Sequence, residues 1–195
     1  MSSTPETPDG MLIAAALAGE EDSFAQLVRR YEAPLLRAAH SRLGSLPLAE
    51  EVVQETFLCA HRWLHTYDSR YSFRTWLWTI LLRQCGRQAR HEAKGMAVAG
   101  GGVERACPGP SPLEALLARE DGRMLHELLA RLPEVQADAL RLRFFGGLSF
   151  PEIAVAMQCS EPGAKNRVKS GLLTLSKWLA ERNAAESAPP RGMNP

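Results

Sequence analysis

Residues 148–169 read LSFPEIAVAMQCSEPGAKNRVK, which is the pattern of two short helices joined by a tight turn. Ser149 is placed to cap the first helix, and Glu152, three residues later, is placed to accept a hydrogen bond from its backbone, as in a capping box. Ser160 is placed to cap the second helix, whose first turns are basic. A capped helix, a turn and a basic second helix form a helix-turn-helix, which lays side chains in the major groove of DNA. The pattern predicts a DNA-binding element.

Composition places the chain among globular proteins and excludes several other classes. Hydrophobic residues make up 45% of its 195 residues and charged residues 23%. No apolar run approaches the roughly 18 residues of a membrane span, and no basic-then-apolar signal begins the chain, so we expect it in the cytoplasm. Its four cysteines form no Cys-x-x-Cys pair, which disfavours a zinc ribbon and a disulfide framework. No cofactor is expected.

The charge is segregated along the chain, although the net charge is only +1. From Arg62 to Arg90 there are six arginines and one acidic residue, Asp68. An acidic cluster, residues 50, 51 and 55, comes just before this stretch. Such a division is typical of a protein that contacts both a protein surface and DNA phosphates.

Apolar residues recur at helical spacing almost throughout, and no strand pattern or internal repeat stands out. Pro34 is expected to kink or divide one of the helices. The predicted fold is all-α, with two small helical domains joined by a flexible linker, the C-terminal one containing the helix-turn-helix. The segments are an arm at 1–9, a first domain at 10–92, a linker rich in glycine and proline at 93–112, a second domain at 113–182 and a tail at 183–195.

Residues 71–90 interleave aromatic and basic side chains. Arginines at 83, 87 and 90 share one helix face, while Trp76 and Ile80 share another. Aromatic rings and arginines together suit unstacked bases, which stack on the rings while the arginines hold the backbone. The alternative is that the tryptophans belong to the core and the arginines solvate a face, and the residues alone leave both open. A metal site at Cys59, His61 and His65 is a further hypothesis, although helix-surface histidines are the simpler interpretation.

Two sets of motifs resemble the bacterial extracytoplasmic-function sigma factors of the sigma-70 family. Residues 49–58 (AEEVVQETFL) and 73–77 (FRTWL), followed by an arginine-rich helix, resemble domain two of that family. Leu132-Pro133, residues 139–149 (ALRLRFFGGLS) and residues 152–154 (EIA) resemble domain four. The order of the motifs and the length between them also fit, and the match covers nearly all of residues 20–180.

The resemblance implies a role for each motif. One helix is expected to bind the core RNA polymerase through Glu50, Glu51, Val53, Gln54, Glu55 and Leu58. The −10 promoter element is expected to contact Tyr67, Arg70, Phe73, Arg74, Trp76, Arg83, Gln84, Arg87 and Arg90. The −35 element is expected to contact Ser149, Ser160, Lys165, Asn166, Arg167 and Lys169.

The function that follows is that of a sigma factor, a subunit without catalytic residues that directs transcription initiation at −35/−10 promoters. Expected partners are the clamp and flap of the RNA polymerase core, promoter DNA in duplex and single-stranded form, and an anti-sigma factor, with no small-molecule substrate. The alternative is a stand-alone helix-turn-helix regulator that binds duplex operators as a dimer, which leaves the acidic helix and the aromatic-basic helix without a role. A metal-dependent helical enzyme is rejected because no carboxylate or pocket signature accompanies the cysteine and histidines.

Overall fold

A computed structural model describes residues 7–98 and 126–186, and these residues form helices and turns without a strand. The prediction of an all-α fold with two helical domains is therefore confirmed. The helices are α1 (Asp9–Leu17), α2 (Glu21–Leu43), α3 (Leu46–Arg62), α4 (Phe73–Val98), α5 (Glu134–Phe144), α6 (Phe150–Ala156) and α7 (Glu161–Glu186), with a short 3-10 helix at Leu64–Thr66. Residues 126–130 are also helical.

The first domain is built on α2, α3 and α4, which pack against one another, with α1 against α2. Leu27, Leu35 and Ala39 of α2 are completely buried, because residues four positions apart lie on one face of a helix. Gly44 ends α2 in the left-handed conformation (φ 72°), which glycine adopts without a steric penalty. Its N–H donates to the carbonyl of His40 at 2.9 Å. These elements hold α3 and α4 side by side.

The second domain is built on α5, α6 and α7. Leu140, Leu142, Ile153 and Val168 form its buried centre. Gly171 lets α7 approach α5 closely, since a Cβ at that position would lie 2.9 Å from the Cδ1 atom of Leu140. A larger residue at this position would therefore require the Leu140 side chain to shift.

Three sequence predictions differ from the structure. Of the two expectations for Pro34, a kink or a division of its helix, the division is wrong: α2 continues through Pro34, because the packing of the buried α2 face outweighs the one lost backbone hydrogen bond. Helix α4 extends to Val98, into the predicted linker, and α7 extends to Glu186, into the predicted tail. Both extensions contain alanine, the best helix former. Residues 99–112 of the predicted linker and 187–195 of the predicted tail lie outside the described residues.

Within residues 7–98 and 126–186, no helix combines the length and apolar character that crossing a lipid bilayer requires.

Candidate nucleic-acid interface

The predicted capping box begins α6. The Ser149 N–H and hydroxyl donate to Oε2 of Glu152 at 2.8 and 2.7 Å, and the return bond from the Glu152 backbone is also present. Oε1 of the same carboxylate accepts hydrogen bonds from the hydroxyls of Ser72 (2.6 Å) and Thr75 (3.1 Å) at the start of α4. Burial alone would raise the pKa of Glu152, but these hydrogen bonds lower it to about 2. The carboxylate is therefore ionised at neutral pH. It takes part both in the capping box of α6 and in the contact between α6 and α4.

The turn between α6 and α7 is tight and begins the basic helix. Gln158 lies in the left-handed region at φ 51°, which L side chains rarely adopt. The hydroxyl of Ser160 accepts a hydrogen bond from the Gly163 N–H at 3.2 Å, so the predicted cap on the second helix is present. A Cβ at Gly163 would lie 3.1 Å from that hydroxyl, so a side chain there would require a small shift of the cap.

Basic and polar side chains of α7 face outward after this cap. Lys165, Asn166 and Lys169 are exposed, and Arg167 is half-buried. Nζ of Lys165 lies 2.8 Å from the Glu161 carboxylate, one turn earlier on the same helix. The structure thus brings four of the predicted −35 residues together on one helix, and Ser149 and Ser160 serve as caps.

An aromatic cluster stands at the start of α4. Phe73 is buried, and its ring centroid lies 5.7 Å from Tyr31, 5.8 Å from Tyr67 and 5.8 Å from Trp76. Tyr67 and Trp76 are half-buried and their rings are 5.5 Å apart. The Tyr67 hydroxyl donates to the Tyr71 carbonyl at 2.6 Å, within the loop that precedes α4. Tyr67 and Trp76 are therefore the partly exposed members of the cluster.

Arginines occur in the loop before α4 and along α4 itself. Arg70, Arg83, Arg87 and Arg90 are exposed, and Arg74 is half-buried. Gln84 differs from them, because it is buried and its Nε2 donates to the Cys59 sulfur at 3.0 Å. The structure therefore places Gln84 in the packing between α3 and α4, apart from the arginine face.

A groove of about 840 Å³ lies between α2 and α3, and we call it the acidic groove. Its walls include Phe24, Val28, Phe57 and Leu58, and its rim carries the carboxylates of Glu32, Glu50 and Glu51. Of the residues predicted to bind polymerase, Glu50, Glu51, Gln54, Glu55 and Leu58 are exposed. Val53 is only 5% exposed and forms part of the groove floor, so a charge there would disrupt the core.

Sequence reasoning missed the α2 side of the acidic groove. Phe24, Val28, Glu32 and Leu36 line it, and they are spaced four residues apart. The sequence does contain a signal for it, because these residues form a second row at four-residue spacing on α2, beside the row that is buried in the core.

The three residues of the hypothetical metal site have separate neighbours. Cys59 lies between Glu55 and Gln84, the His61 ring contacts Phe24 at 4.9 Å, and His65 contacts Trp63. Burial, with the adjacent Glu55 carboxylate, raises the pKa of the Cys59 thiol, and a protonated thiol is a poor metal ligand. The described part of the chain contains no group of three or more candidate ligands placed to hold a metal ion.

Known proteins share both domains. The sigma-70 region 2 family matches residues 27–95, and the sigma-70 region 4 family matches residues 122–175. The RNA polymerase sigma factor NccH of Alcaligenes xylosoxydans xylosoxydans is 31% identical over 90% of this chain and 97% of its own length. CnrH of Cupriavidus metallidurans, also an RNA polymerase sigma factor, is 30% identical over 90% of this chain and 96% of its own length.

The solved structure of CnrH in complex with the cytosolic domain of CnrY has the same fold. It superposes with a TM-score of 0.70 at 26% identity and covers 89% of this chain and 97% of that one. BldN of Streptomyces coelicolor, an ECF RNA polymerase sigma factor, is 31% identical over 87% of this chain and 65% of its own length. The chain therefore belongs to the extracytoplasmic-function group of the sigma-70 family and is a promoter-specificity subunit of RNA polymerase.

Proposed function

We propose that the two domains divide the promoter between them. The first domain, residues 10–92, binds the polymerase core and holds the opened −10 strand, and the second, residues 113–182, reads the −35 duplex. The observation that carries this division is that each domain has its own outward basic face: the arginines of α4 lie beside aromatic rings, and the basic turns of α7 follow a capped helix-turn-helix.

The α4 surface that we assign to the −10 element suits single-stranded DNA, because it combines aromatic side chains with arginines. An unstacked base gains about 1–3 kcal/mol by stacking on an aromatic side chain. Tyr67 and Trp76 are half-buried and their rings lie 5.5 Å apart, so part of each side chain stays accessible. Arg83 and Arg87 follow along the helix at a spacing that meets successive phosphates. Capturing extruded bases in this way favours the melted state of the DNA.

The −35 face suits a duplex because the start of α7 offers both a cap and a base reader. Backbone N–H groups at a helix N-terminus favour phosphate. Arg167, further into the helix, has a planar guanidinium that can bond O6 and N7 of guanine together. Lys165 projects from a different side of the helix, since two residues are about 200° apart around its axis. We assign Lys165 to phosphate and Arg167 to a base edge.

The acidic groove suits a protein partner. Leu58 is 56% exposed beside the exposed Gln54, and carboxylates surround them. An exposed apolar side chain ringed by charge is typical of a protein-binding surface. We assign this surface to the clamp of the polymerase core and assign the flap contact to the second domain.

The proposed activity needs no covalent step, so the chain acts by binding alone, in the cytoplasm where polymerase and promoters are. An anti-sigma factor is among the partners we expect, and the relative CnrH was solved with the cytosolic domain of CnrY. A stand-alone regulator would not need the acidic groove, which argues against that alternative.

The test is to mix the purified chain with sigma-free core polymerase and a library of promoter fragments. Promoter-specific transcripts that require the chain are expected. Binding of duplex fragments by a dimer, with no effect of added core polymerase, would support the stand-alone regulator instead.

A further inference from the structure

The start of α1 is tied to α2 by the carboxylate of Asp9. One oxygen of this carboxylate accepts a hydrogen bond from the Arg30 guanidinium, and the other accepts one from the Tyr31 hydroxyl. Arg30 also donates to the Thr7 carbonyl at 2.7 Å, just before α1 begins. The sequence predicts no role in promoter binding for position 9, which ends the predicted arm. The structure nevertheless places its carboxylate against two residues of the first domain.

Tyr31 connects this carboxylate to the aromatic cluster at the start of α4. Tyr31 is 9% exposed, and its ring meets the ring of Phe73 edge-on, with the centroids 5.7 Å apart. Burial raises the pKa of the Tyr31 hydroxyl, and the Asp9 carboxylate raises it further, so the hydroxyl stays protonated and can donate to Asp9. Phe73 in turn contacts both partly exposed rings, Tyr67 and Trp76, at centroid distances of 5.8 Å. An unbroken series of contacts therefore leads from Asp9 to the two rings that DNA can reach.

A second contact reaches the same cluster through the backbone. Helix α1 packs against the short 3-10 helix at Leu64–Thr66, which directly precedes Tyr67. Burial raises the pKa of Tyr67, and the nearby carboxylates of Asp9 and Asp68 raise it further. Asp9 is therefore close enough to Tyr67 to act on it electrostatically. The position of Tyr67 depends on α1 through this contact as well as through Tyr31.

The position of the rings matters for the function proposed above, on which this inference rests. A side chain that is already held in its binding position loses less conformational entropy when its partner arrives, so preorganised rings bind a base more tightly. Neither Asp9 nor Tyr31 has to touch DNA to produce this effect. What they supply is a fixed support behind the rings.

We propose that Asp9 is a positioning residue for the −10 strand. Through Tyr31 it holds Phe73, and Phe73 holds the two partly exposed rings where an unstacked base meets them. The charge of Asp9 makes this role distinguishable, because a carboxylate repels DNA phosphates. Removing the charge strengthens DNA binding if electrostatic repulsion is its main effect, and weakens DNA binding if positioning is.

The first test asks whether these contacts hold the loop in the free, full-length chain. Hydrogen exchange is followed by mass spectrometry on peptides that cover residues 64–76. Tyr31→Phe removes the hydroxyl but keeps the ring, and Asp9→Asn keeps the size of the side chain but removes its charge. Both variants are expected to exchange several-fold faster than wild type in these peptides. Asp22→Asn, at an exposed carboxylate of α2, is the matched control and is expected to exchange like wild type.

The second test measures DNA binding by the reconstituted polymerase holoenzyme. Affinity is measured for the −10 single strand and for the −35 duplex of one promoter obtained from the library experiment above. Asp9→Asn is expected to bind the −10 strand about fivefold more weakly and the −35 duplex as tightly as wild type. A variant that is merely less stable loses affinity for both in equal proportion. Asp22→Asn removes the same charge and is expected to bind the −10 strand at least as tightly as wild type.

A double variant distinguishes one series of contacts from two independent effects. Asp9→Asn and Tyr31→Phe act on the same hydrogen bond, so the double variant is expected to lose no more affinity for the −10 strand than Asp9→Asn alone. Losses that multiply in the double variant would overturn the proposed role, and so would wild-type or tighter binding by a folded Asp9→Asn protein.

The exchange measurement keeps this inference separate from the proposed function. Unchanged exchange over residues 64–76 in both variants would refute the support of the rings by Asp9. A wild-type holoenzyme that does not bind the −10 strand would refute the proposed function, and with it the role of Asp9 in DNA binding, whereas faster exchange in the variants would still establish the contact itself.

Discussion

The hydroxyl of Ser72 donates a hydrogen bond of 2.6 Å to the carboxylate of Glu152, eighty residues later in the chain. The same carboxylate closes the capping box of α6 through Ser149. One ionised group thus stabilises the start of the helix-turn-helix and its contact with α4. The first prediction concerns this group.

Stability is expected to depend on the ionisation of Glu152 in acid. Its folded-state pKa, about 2, is below the value of roughly 4.3 for an unfolded chain. A depressed pKa contributes stability above the unfolded value, and that contribution is lost as the pH falls from about 4.5 towards 2. Thermal midpoints of wild type and Glu152→Gln are expected to differ most above pH 5 and to converge near pH 2. A constant difference across this range would contradict the prediction.

The acidic groove is tested at Leu58. Leu58→Glu adds a charge at a 56% exposed position, so the free energy of unfolding is expected to change by only about 0.5 kcal/mol. Copurification with core polymerase is expected to be lost. Met11→Glu, at an apolar residue of α1 that is 64% exposed, is the matched control and is expected to copurify. If a folded Leu58→Glu protein still copurifies with polymerase, the clamp does not bind this surface.

The contacts of the α4 arginines with phosphates are tested through the salt dependence of DNA binding. In the polymerase holoenzyme, Arg87→Ala is expected to weaken binding to single-stranded −10 DNA and to reduce the slope of log K against log salt by about 0.7. The reason is that one fewer phosphate is neutralised. Arg29→Ala, on α2, is expected to leave the slope unchanged. Equal slopes for wild type and Arg87→Ala would show that Arg87 does not contact a phosphate.

The two basic residues of the recognition helix are expected to behave differently. Arg167→Ala is expected to cost roughly 1–3 kcal/mol of binding free energy and to relax the preference at one −35 position. Lys165→Ala is expected to weaken all −35 sequences about equally and to lower the salt slope by about 0.9. Footprinting a library of −35 variants with each mutant holoenzyme distinguishes these outcomes. An even loss for Arg167→Ala with a changed base preference for Lys165→Ala would reverse the assignments.

The turn of the helix-turn-helix is expected to gain stability from a glycine. Gln158 holds φ at 51°, and Gln158→Gly removes the steric penalty of a Cβ in that conformation. After the entropy cost of glycine, a net gain of about 0.5 kcal/mol is expected in chemical denaturation. Gln158→Ala keeps a Cβ and is expected to give no such gain. A Gln158→Gly protein that is less stable than Gln158→Ala would show that the backbone is unstrained there.

The local parts of this structure could be predicted from sequence because their partners are close in the chain. The capping box needs only Ser149 and a glutamate three residues later, and the cap at Ser160 acts on Gly163. Helix faces follow from the period of 3.6 residues, which explains why the exposed arginines of α4 were found together.

Position on a helix was a weaker guide to what each side chain contacts. Gln84 follows Arg83 directly, yet it is buried against Cys59, because one residue rotates the side chain by about 100° around the axis. The contact between Arg42 and Asp138 was not predicted, since it joins residues 96 positions apart through the arrangement of whole domains. The burial of Trp78 does not follow from the sequence for the same reason, because the turn at Gly146 of the other domain packs against it.

The double use of Glu152 constrains how this protein can evolve. A substitution of Glu152 changes the capping box of the helix-turn-helix and also the hydrogen bonds to Ser72 and Thr75. Selection at this one codon therefore acts on the stability of the helix-turn-helix and on its contact with α4. Ser149 bonds to the carboxylate from within its own domain, so selection there acts first on the capping box. New promoter preferences are therefore expected to arise by changes along the exposed face of α7, where a side chain can vary without altering the other domain.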